Sequence, residues 1–441
     1  MEHTLHTIID AALYAADPFN AVKNILRRSG NLLHCGDTRY PLDEIERVLV
    51  IGFGKGSAPM AHAVHSLLAD QITAGMVIVK YGHTLPAETD VSPITVVEAG
   101  HPVPDKNGVR HTHYLINLLA NTRPTDLVIA LISGGGSALL VQPVAGISLA
   151  DLQSLTDRLL KAGAPITAIN TVRKHLSQVK GGQLAKLTHP ARTISLILSD
   201  VGGDPLDIIA SGPTAPDSGT FADAITALEK YGVWDDAPSA ITEYLRDGAH
   251  GLHPETPKPG NPIFERVQNQ IIANNRIALD AAAAAAQKHG FAVTVHPDFV
   301  EGDIHTVAQW VATHVRQLRE KVDVNGHPAA FLFGGEPTVT LHGDGLGGRN
   351  QELALATAQK IAGVPNVRVA CFATDGNDGP TDAAGAIISG ETIANAAARG
   401  LDAAVFLQNN DSYHFFEASG ELLKTGATNT NVNDIVAVLV W

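Results

Sequence analysis

The stretch Asp126–Leu140, DLVIALISGGGSALL, restricts the fold of this chain more than any other. Leu127–Ile132 is apolar at every position, so a strand built from it must be covered on both faces, as in a parallel sheet layered between helices. The run stops at Ser133-Gly134-Gly135-Gly136-Ser137 and continues with residues compatible with a helix. Ligands of such sheets gather at the carboxyl ends of the strands, which is where this turn falls. Glycines let the backbone approach an anion closely, and the start of a following helix offers unpaired N–H groups and roughly half a positive charge. Ser133, Gly134, Gly135, Gly136 and Ser137 are therefore read as a cradle for a phosphate or carboxylate. The alternative is a turn that only closes a βα unit.

A chain of 441 residues exceeds one comfortable core, so two domains are expected. With 45% hydrophobic and 17% charged residues and 41 glycines, the composition is that of a globular, loop-rich α/β protein. The net charge of −14, with no block of Lys or Arg, speaks against nucleic acid or an anionic membrane as partner. An anionic ligand must then be met by local cations. Cys35 and Cys371 are far apart and in neither zinc nor disulfide spacing, which points to a reducing, cytoplasmic setting. Glu2 and Asp10 sit in an amphipathic pattern, so neither a signal peptide nor a membrane helix is expected.

A second strand and glycine turn precede the first. Arg47–Ile51 runs into Gly52-Phe53-Gly54-Lys55-Gly56-Ser57, with a helix expected over Ala58–Ala69. The dinucleotide fingerprint is not met: its third glycine is missing, and the next strand, Met76–Val79, ends in Lys80 where an acidic ribose-binding residue is expected. Nor is this a P-loop, because Lys55 lies inside the turn. Lys55 is a candidate phosphate-facing cation, with a solvated loop lysine as the ordinary alternative. His101, beyond the strand Ile94–Glu98, is a further candidate for the same sheet edge. In Asn170–Lys180, NTVRKHLSQVK, the seven-residue spacing of Arg173 and Lys180 predicts one helical face, closed by Gly181-Gly182. The strand Thr193–Leu198 ends in Ser199-Asp200, which puts a carboxylate where it can bind Mg²⁺ or take a proton from an alcohol.

The segment His250–Pro262, HGLHPETPKPGNP, is dense in proline and glycine and predicts the domain boundary. Past it, Ala329–Phe333 leads into Gly334-Gly335-Glu336-Pro337-Thr338, with a strand expected over Val339–Leu341. Arg349 and Asn350 open the helix Gln351–Ile361, where the dipole disfavours a cation unless an anion is near. Val367–Phe372 is a strand followed by Asp375 and Asp378 among glycines, a loop able to fold around an ion or to cap a helix from Asp382.

Taken together these stretches resemble the class II glycerate 2-kinases, whose second half is a MOFRL-type domain. The matching residues are GFGKGSAPM at Gly52–Met60, AGHPVPD at Ala99–Asp105, ISGGGSALL at Ile132–Leu140 and NTVRKHLSQVKGGQLA at Asn170–Ala185. They continue with LSDVGGDPLDIIASGPTAPD at Leu198–Asp217, GGEPTVTLHGDGLGGRNQELALA at Gly334–Ala356, ATDGNDGPTDAAGA at Ala373–Ala386 and NNDSYHFFEA at Asn409–Ala418. At Thr425–Asp434, TGATNTNVND, Ala427 and Asn429 stand where Pro and Gly are expected.

The resemblance implies a Rossmann-like α/β/α sandwich with a mainly parallel sheet over 1–249, a linker over 250–262, and a smaller α/β domain over 263–441 whose MOFRL-type region begins near 329. It implies ATP- and Mg²⁺-dependent phosphorylation of D-glycerate at its 2-hydroxyl, with no nucleic acid or membrane partner and a homodimer as an option. Together with the residue chemistry it assigns Lys55, Asp200 and Arg349 to catalysis. Ser133–Ser137, Arg173, Lys180, Glu336 and Asn350 are assigned to substrate or phosphate, and Asp375 and Asp378 to the metal, in a cleft between domains. The competing readings are an NAD(P)H-dependent hydroxypyruvate reductase and a non-catalytic phosphometabolite-binding protein.

Overall fold

The apolar runs around the first glycine turn form one buried layer. Strands β1 (Arg47–Phe53), β2 (Ile72–Lys80), β3 (Ile94–Ala99), β4 (Asp126–Ile132), β5 (Arg192–Leu198) and β6 (Val267–Ala273) lie in the order β3-β2-β1-β4-β5-β6. The pairs β1/β2, β1/β4, β2/β3 and β4/β5 are parallel, with Phe53 beside both Ile78 and Ile132. Every residue of β4 is buried, and each buried Leu, Ile or Val contributes about 1.5–3 kcal/mol. Helices such as Ser57–Leu68 and Lys106–Leu119 follow these strands, the latter capped by Asp105, which accepts from the Gly108 N–H at 2.8 Å. The computed structural model describes residues 1–441 and assigns this sheet to a unit spanning Pro18–Ile272.

The second unit combines Met1–Asp17 with Ala273–Trp441. Its mixed sheet contains β7 (Ala292–Val295), β8 (Val300–Asp303), β9 (Ala329–Thr338), β10 (Val367–Ala373), β11 (Gly385–Ser389), β12 (Leu422–Leu423) and β13 (Asp434–Val440). The order is β7-β9-β13-β10-β11-β12, with β8 also paired to β9. Strand β13 is antiparallel to both β9 and β10. The helices Ile304–Asn325 and Arg349–Lys360 bury Val311, Val315, Leu353 and Leu355 in one core with Phe331, Phe333 and Val438. The alanine run of the helix Asn275–Lys288 gives a smooth surface on which the helix Glu2–Ala16 packs. Thr430 Oγ1 then donates to the Ala16 carbonyl at 2.6 Å. No helix is long and apolar enough to cross a membrane.

The units divide differently from the expected 249/263 boundary. His250–Pro262 lies inside the first unit as a strap, because its polar groups are satisfied by that unit. The Asp217 N–H donates to Pro257 O at 2.9 Å, Thr256 Oγ1 donates to the Asp217 carboxylate at 2.9 Å, and Glu255 accepts from the Phe221 N–H at 2.9 Å. Proline and glycine mark a strap as readily as a linker, and only its partners tell them apart. In the second unit, β9 does not stop at Phe333 but continues through Gly334-Gly335-Glu336-Pro337-Thr338, and the strand expected over 339–341 is absent. A Cβ on Gly335 would lie 2.0 Å from Val300 O, so glycine here serves close strand approach. Asp382 starts no helix; the chain goes into β11.

Candidate active site

The strand order of the first sheet reverses between β1 and β4, and a crevice at the carboxyl ends of such neighbours is where open parallel sheets bind ligands. Both glycine turns flank that crevice and are knitted together. The Ser133 N–H donates to Phe53 O at 3.2 Å, the Lys55 N–H to Gly134 O at 2.9 Å, and the Gly56 N–H to Ser133 Oγ at 3.0 Å. Gly54 has φ +130, and a Cβ there would sit 2.2 Å from Ser133 Oγ, so no other residue fits this approach. The helix after the cradle, Gly136–Leu139, is only one turn long. The expected helix dipole is correspondingly small, and side-chain cations must carry more of an anion's charge.

Those cations are present. A cavity of about 300 Å³ is lined by the Ser133–Ser137 turn, His101, Arg173, Lys180 and Asp200, with an apolar back wall that includes Leu155, Leu159 and Ile169. Lys180 is 2% exposed and donates from Nζ to Ser137 O and Leu140 O, both at 2.7 Å. Burial, then the charge of Arg173, holds its pKa well below the usual lysine value. Burial likewise lowers that of Arg173. The two residues do not share a helical face: the helix ends at His175 and Lys180 lies in the loop beyond. They meet because that loop turns back under the cradle. Gly181 and Gly182 both have positive φ, and Gly182 caps the next helix, Gln183–Thr188, instead of closing the previous one.

Asp200 follows β5 and lies against the cradle, its Oδ2 2.4 Å from where a Gly134 Cβ would stand. Across the turn Ser137 Oγ is 2.8 Å from Ser211 Oγ, and Ser211 donates to Asn170 Oδ1 at 3.1 Å. Ala210 and Ser211 hold φ of 49 and 64, a left-handed backbone that costs non-glycine residues about 1–3 kcal/mol and recurs at ligand sites.

Of the other assigned residues, Arg349, Asp375 and Asp378 line a separate, polar cavity of about 410 Å³ within the second unit, together with Glu352, Asn410 and Asp434, whereas Glu336 and Asn350 are not among its lining residues. The anion that accounts for Arg349 at a helix start is the protein's own. Its guanidinium donates to both Asp434 oxygens, at 2.6 and 3.1 Å, and to Glu336 Oε1 at 2.6 Å. Asp434 is 2% exposed, and burial pushes its carboxyl up to about 7 against the pull of Arg349. Asp378 is also spent internally, which removes the support for it as a metal ligand. One oxygen accepts from the Asn350 N–H and side-chain amide at 3.1 and 3.2 Å, the other from the Gln351 N–H at 2.8 Å, so it caps the helix Arg349–Lys360 from 28 residues downstream. Asn350 is thereby buried at 1% exposure. Asp375 borders the cavity and accepts from the Asn377 N–H at 3.1 Å. No group of three or more His, Cys, Asp or Glu gathers into a metal cage. Asn429 takes φ +57 where the family pattern has glycine, a conformation that asparagine tolerates better than most residues.

Sequence reasoning missed Asp434 and Glu352. Asp434 begins β13 after the Asn431-Val432-Asn433 triplet, and a carboxylate heading an otherwise apolar strand was the available signal. Burial pushes the Glu352 carboxyl up to about 7, relieved in part by the Asn410 amide, which donates at 2.8 Å.

Fold and site define a doubly wound α/β protein with a cation-lined cavity at its switch point. Residues 4–246 match the family described as a domain of unknown function, DUF4147, and residues 329–434 match the MOFRL family. The chain is 40% identical over 98% of its length to the D-glycerate 2-kinase of Thermotoga maritima, covering 97% of that protein. It is also 40% identical, over 99% of its length and 94% of the relative's, to an Agrobacterium vitis protein provisionally named a hydroxypyruvate reductase. The crystal structure of glycerate kinase from Thermotoga maritima superposes with a TM-score of 0.88 at 39% identity, covering 99% of both chains. The chain belongs to the class II glycerate 2-kinase family.

Proposed function

We propose that this protein is a phosphotransferase acting on an alcohol, a glycerate 2-kinase that transfers the terminal phosphoryl group of ATP to the 2-hydroxyl of D-glycerate. The observation that carries the reading is the switch-point cavity, where cations converge on a glycine cradle beside a strand-end carboxylate. Arg173 and Lys180 suit the glycerate carboxylate, Asp200 the proton of the 2-hydroxyl, and Lys55 the charge that develops on the moving phosphoryl group. Positioning and charge stabilisation are what such a transfer chiefly needs. In the second cavity Arg349 is oriented by Asp434, and the more exposed Glu336 is the partner that an incoming phosphate would displace.

Mg²⁺ is commonly held by one or two carboxylates plus the substrate's phosphates, without a dedicated cage. Of the two assigned ligands Asp375 fits that role and Asp378 does not, since both its oxygens are committed to a helix start. The ion would supply charge screening on the nucleotide phosphates. The reductase reading has less support, because the β1 turn lacks the dinucleotide pattern and β2 ends in Lys80. Purified protein incubated with ATP, Mg²⁺ and D-glycerate should yield 2-phosphoglycerate and ADP. Formation of 3-phosphoglycerate would overturn the regiochemistry, and NADH oxidation with hydroxypyruvate in the absence of kinase turnover would overturn the class.

A further inference from the structure

Lys80 is the one cation at the switch-point edge to which the reaction above gives no task. It is the last residue of β2, half-buried, and the register places it among other bases. Phe53 pairs with Ile78, so Lys55 and Lys80 stand at the same level, two residues further along neighbouring strands. Lys80 pairs in turn with Ala99, two residues before His101. His101 closes the arrangement over the cradle, its Cδ2 2.9 Å from where a Gly135 Cβ would be.

The carboxyl ends of three adjacent strands thus carry Lys55, Lys80 and His101, and the turn after Lys80 adds His83. The charged groups acting on the two imidazoles are all bases. Burial and then Lys55, Lys80 and His83 push His101 down to about 4; burial, Lys80 and Lys55 lower His83. Nearby carboxylates are turned to other work: Glu98 accepts from the Gly82 N–H at 2.6 Å, and Asp105 accepts from Tyr81 Oη at 2.7 Å and caps a helix. His83 Nδ1 is buried without a partner. In a chain of net charge −14, two lysines held level beside a glycine cradle and beside two imidazoles, with no carboxylate free to pair with them, form a local site for an oxyanion.

We propose that Lys80 binds phosphate, forming with Lys55 a two-lysine clamp on a single phosphoryl group. This rests on the phosphotransferase reading for its ligand. The shared chemistry is a tetrahedral phosphate carrying about two negative charges, supplied either by the terminal phosphate of the nucleotide or by the phosphomonoester of the product. One such charge-assisted contact commonly changes affinity by about tenfold or more.

The test is calorimetric titration of the full chain and of Lys80→Met and Lys80→Arg with ATP, 2-phosphoglycerate, inorganic pyrophosphate and D-glycerate, beside steady-state kinetics. Lys80→Met should weaken at least one phosphate ligand by about tenfold, leave D-glycerate affinity within about twofold, and be largely rescued in Lys80→Arg. A loss on ATP identifies the nucleotide as the source, and a loss on 2-phosphoglycerate the product. Unchanged affinity for all three phosphate compounds overturns the proposal. So does a parallel loss of D-glycerate and phosphate ligands with a lowered Tm, which marks Lys80 as structural. Wild-type protein that binds these phosphates without turning over glycerate would sink the kinase reading alone, and the comparison of variants would still decide the clamp.

Discussion

The two cavities differ in how their cations are kept. In the first unit Arg173, Lys180 and His101 line the cavity with Asp200 as its one carboxylate, and burial lowers the pKa of all three bases. In the second a single Arg349 is bracketed by Asp434 and Glu336, and the carboxyls of Asp434 and Glu352 are pushed up to about 7. An excess of buried positive charge is relieved by a bare anion. An excess of carboxylates is relieved by protons or by a cation that accompanies a ligand. The first cavity is therefore complementary to a bare anion, the second to a ligand that brings a cation with it.

Removing one cation from each cavity separates the two kinds of site. Arg349→Ala leaves Asp434 buried without its partner, so unfolding should become easier by about 3–5 kcal/mol, measured by urea denaturation at pH 8. Lys55→Ala should leave stability within about 0.5 kcal/mol, because no fold-forming contact is lost, and lower kcat/KM by about 10²-fold or more. Equal destabilisation by the two variants would erase the contrast.

Gly134→Ala comes next in size. Its Cβ would push the Asp200 carboxylate by more than half an ångström, and kcat should fall by about tenfold with the KM for ATP preserved. A change confined to KM would mean that Asp200 does not face the reacting hydroxyl.

The smallest effect concerns Glu352 and depends on pH. The ordinary glutamate value is 4.5 and burial raises it to about 7 in the folded chain, so between these the folded chain keeps a proton that the unfolded chain has released. The resulting stability is complete below pH 4.5 and is lost as pH rises through 7. Glu352→Gln, neutral at all pH, should be close to wild type at pH 4.5 and about 1–3 kcal/mol more stable at pH 8. A stability difference that does not vary with pH would place the Glu352 proton elsewhere.

The same contrast governs what could be read before the structure. β4 and its cradle were legible because an unbroken apolar run and a triple glycine are local signals, and one strand order then set Lys55 beside the cradle. The second cavity depends on partners remote in sequence. Asp434 lies 85 positions from Arg349, and Asp378 caps a helix that begins 29 residues earlier. Lys180 lines the same cavity as Arg173 without sharing its helical face, since a seven-residue spacing cannot show that the helix stops at His175.

The central claim is that the substrate's anionic groups occupy the switch-point cavity of the first unit. A crystal structure of the protein soaked with 2-phosphoglycerate tests it most directly. The account predicts the ligand within hydrogen-bond distance of the Ser133–Ser137 turn, with its carboxylate toward Arg173 and its phosphate toward Lys55 and Lys80. Ligand density confined to the Arg349 cavity, with the glycine cradle untouched, would contradict it.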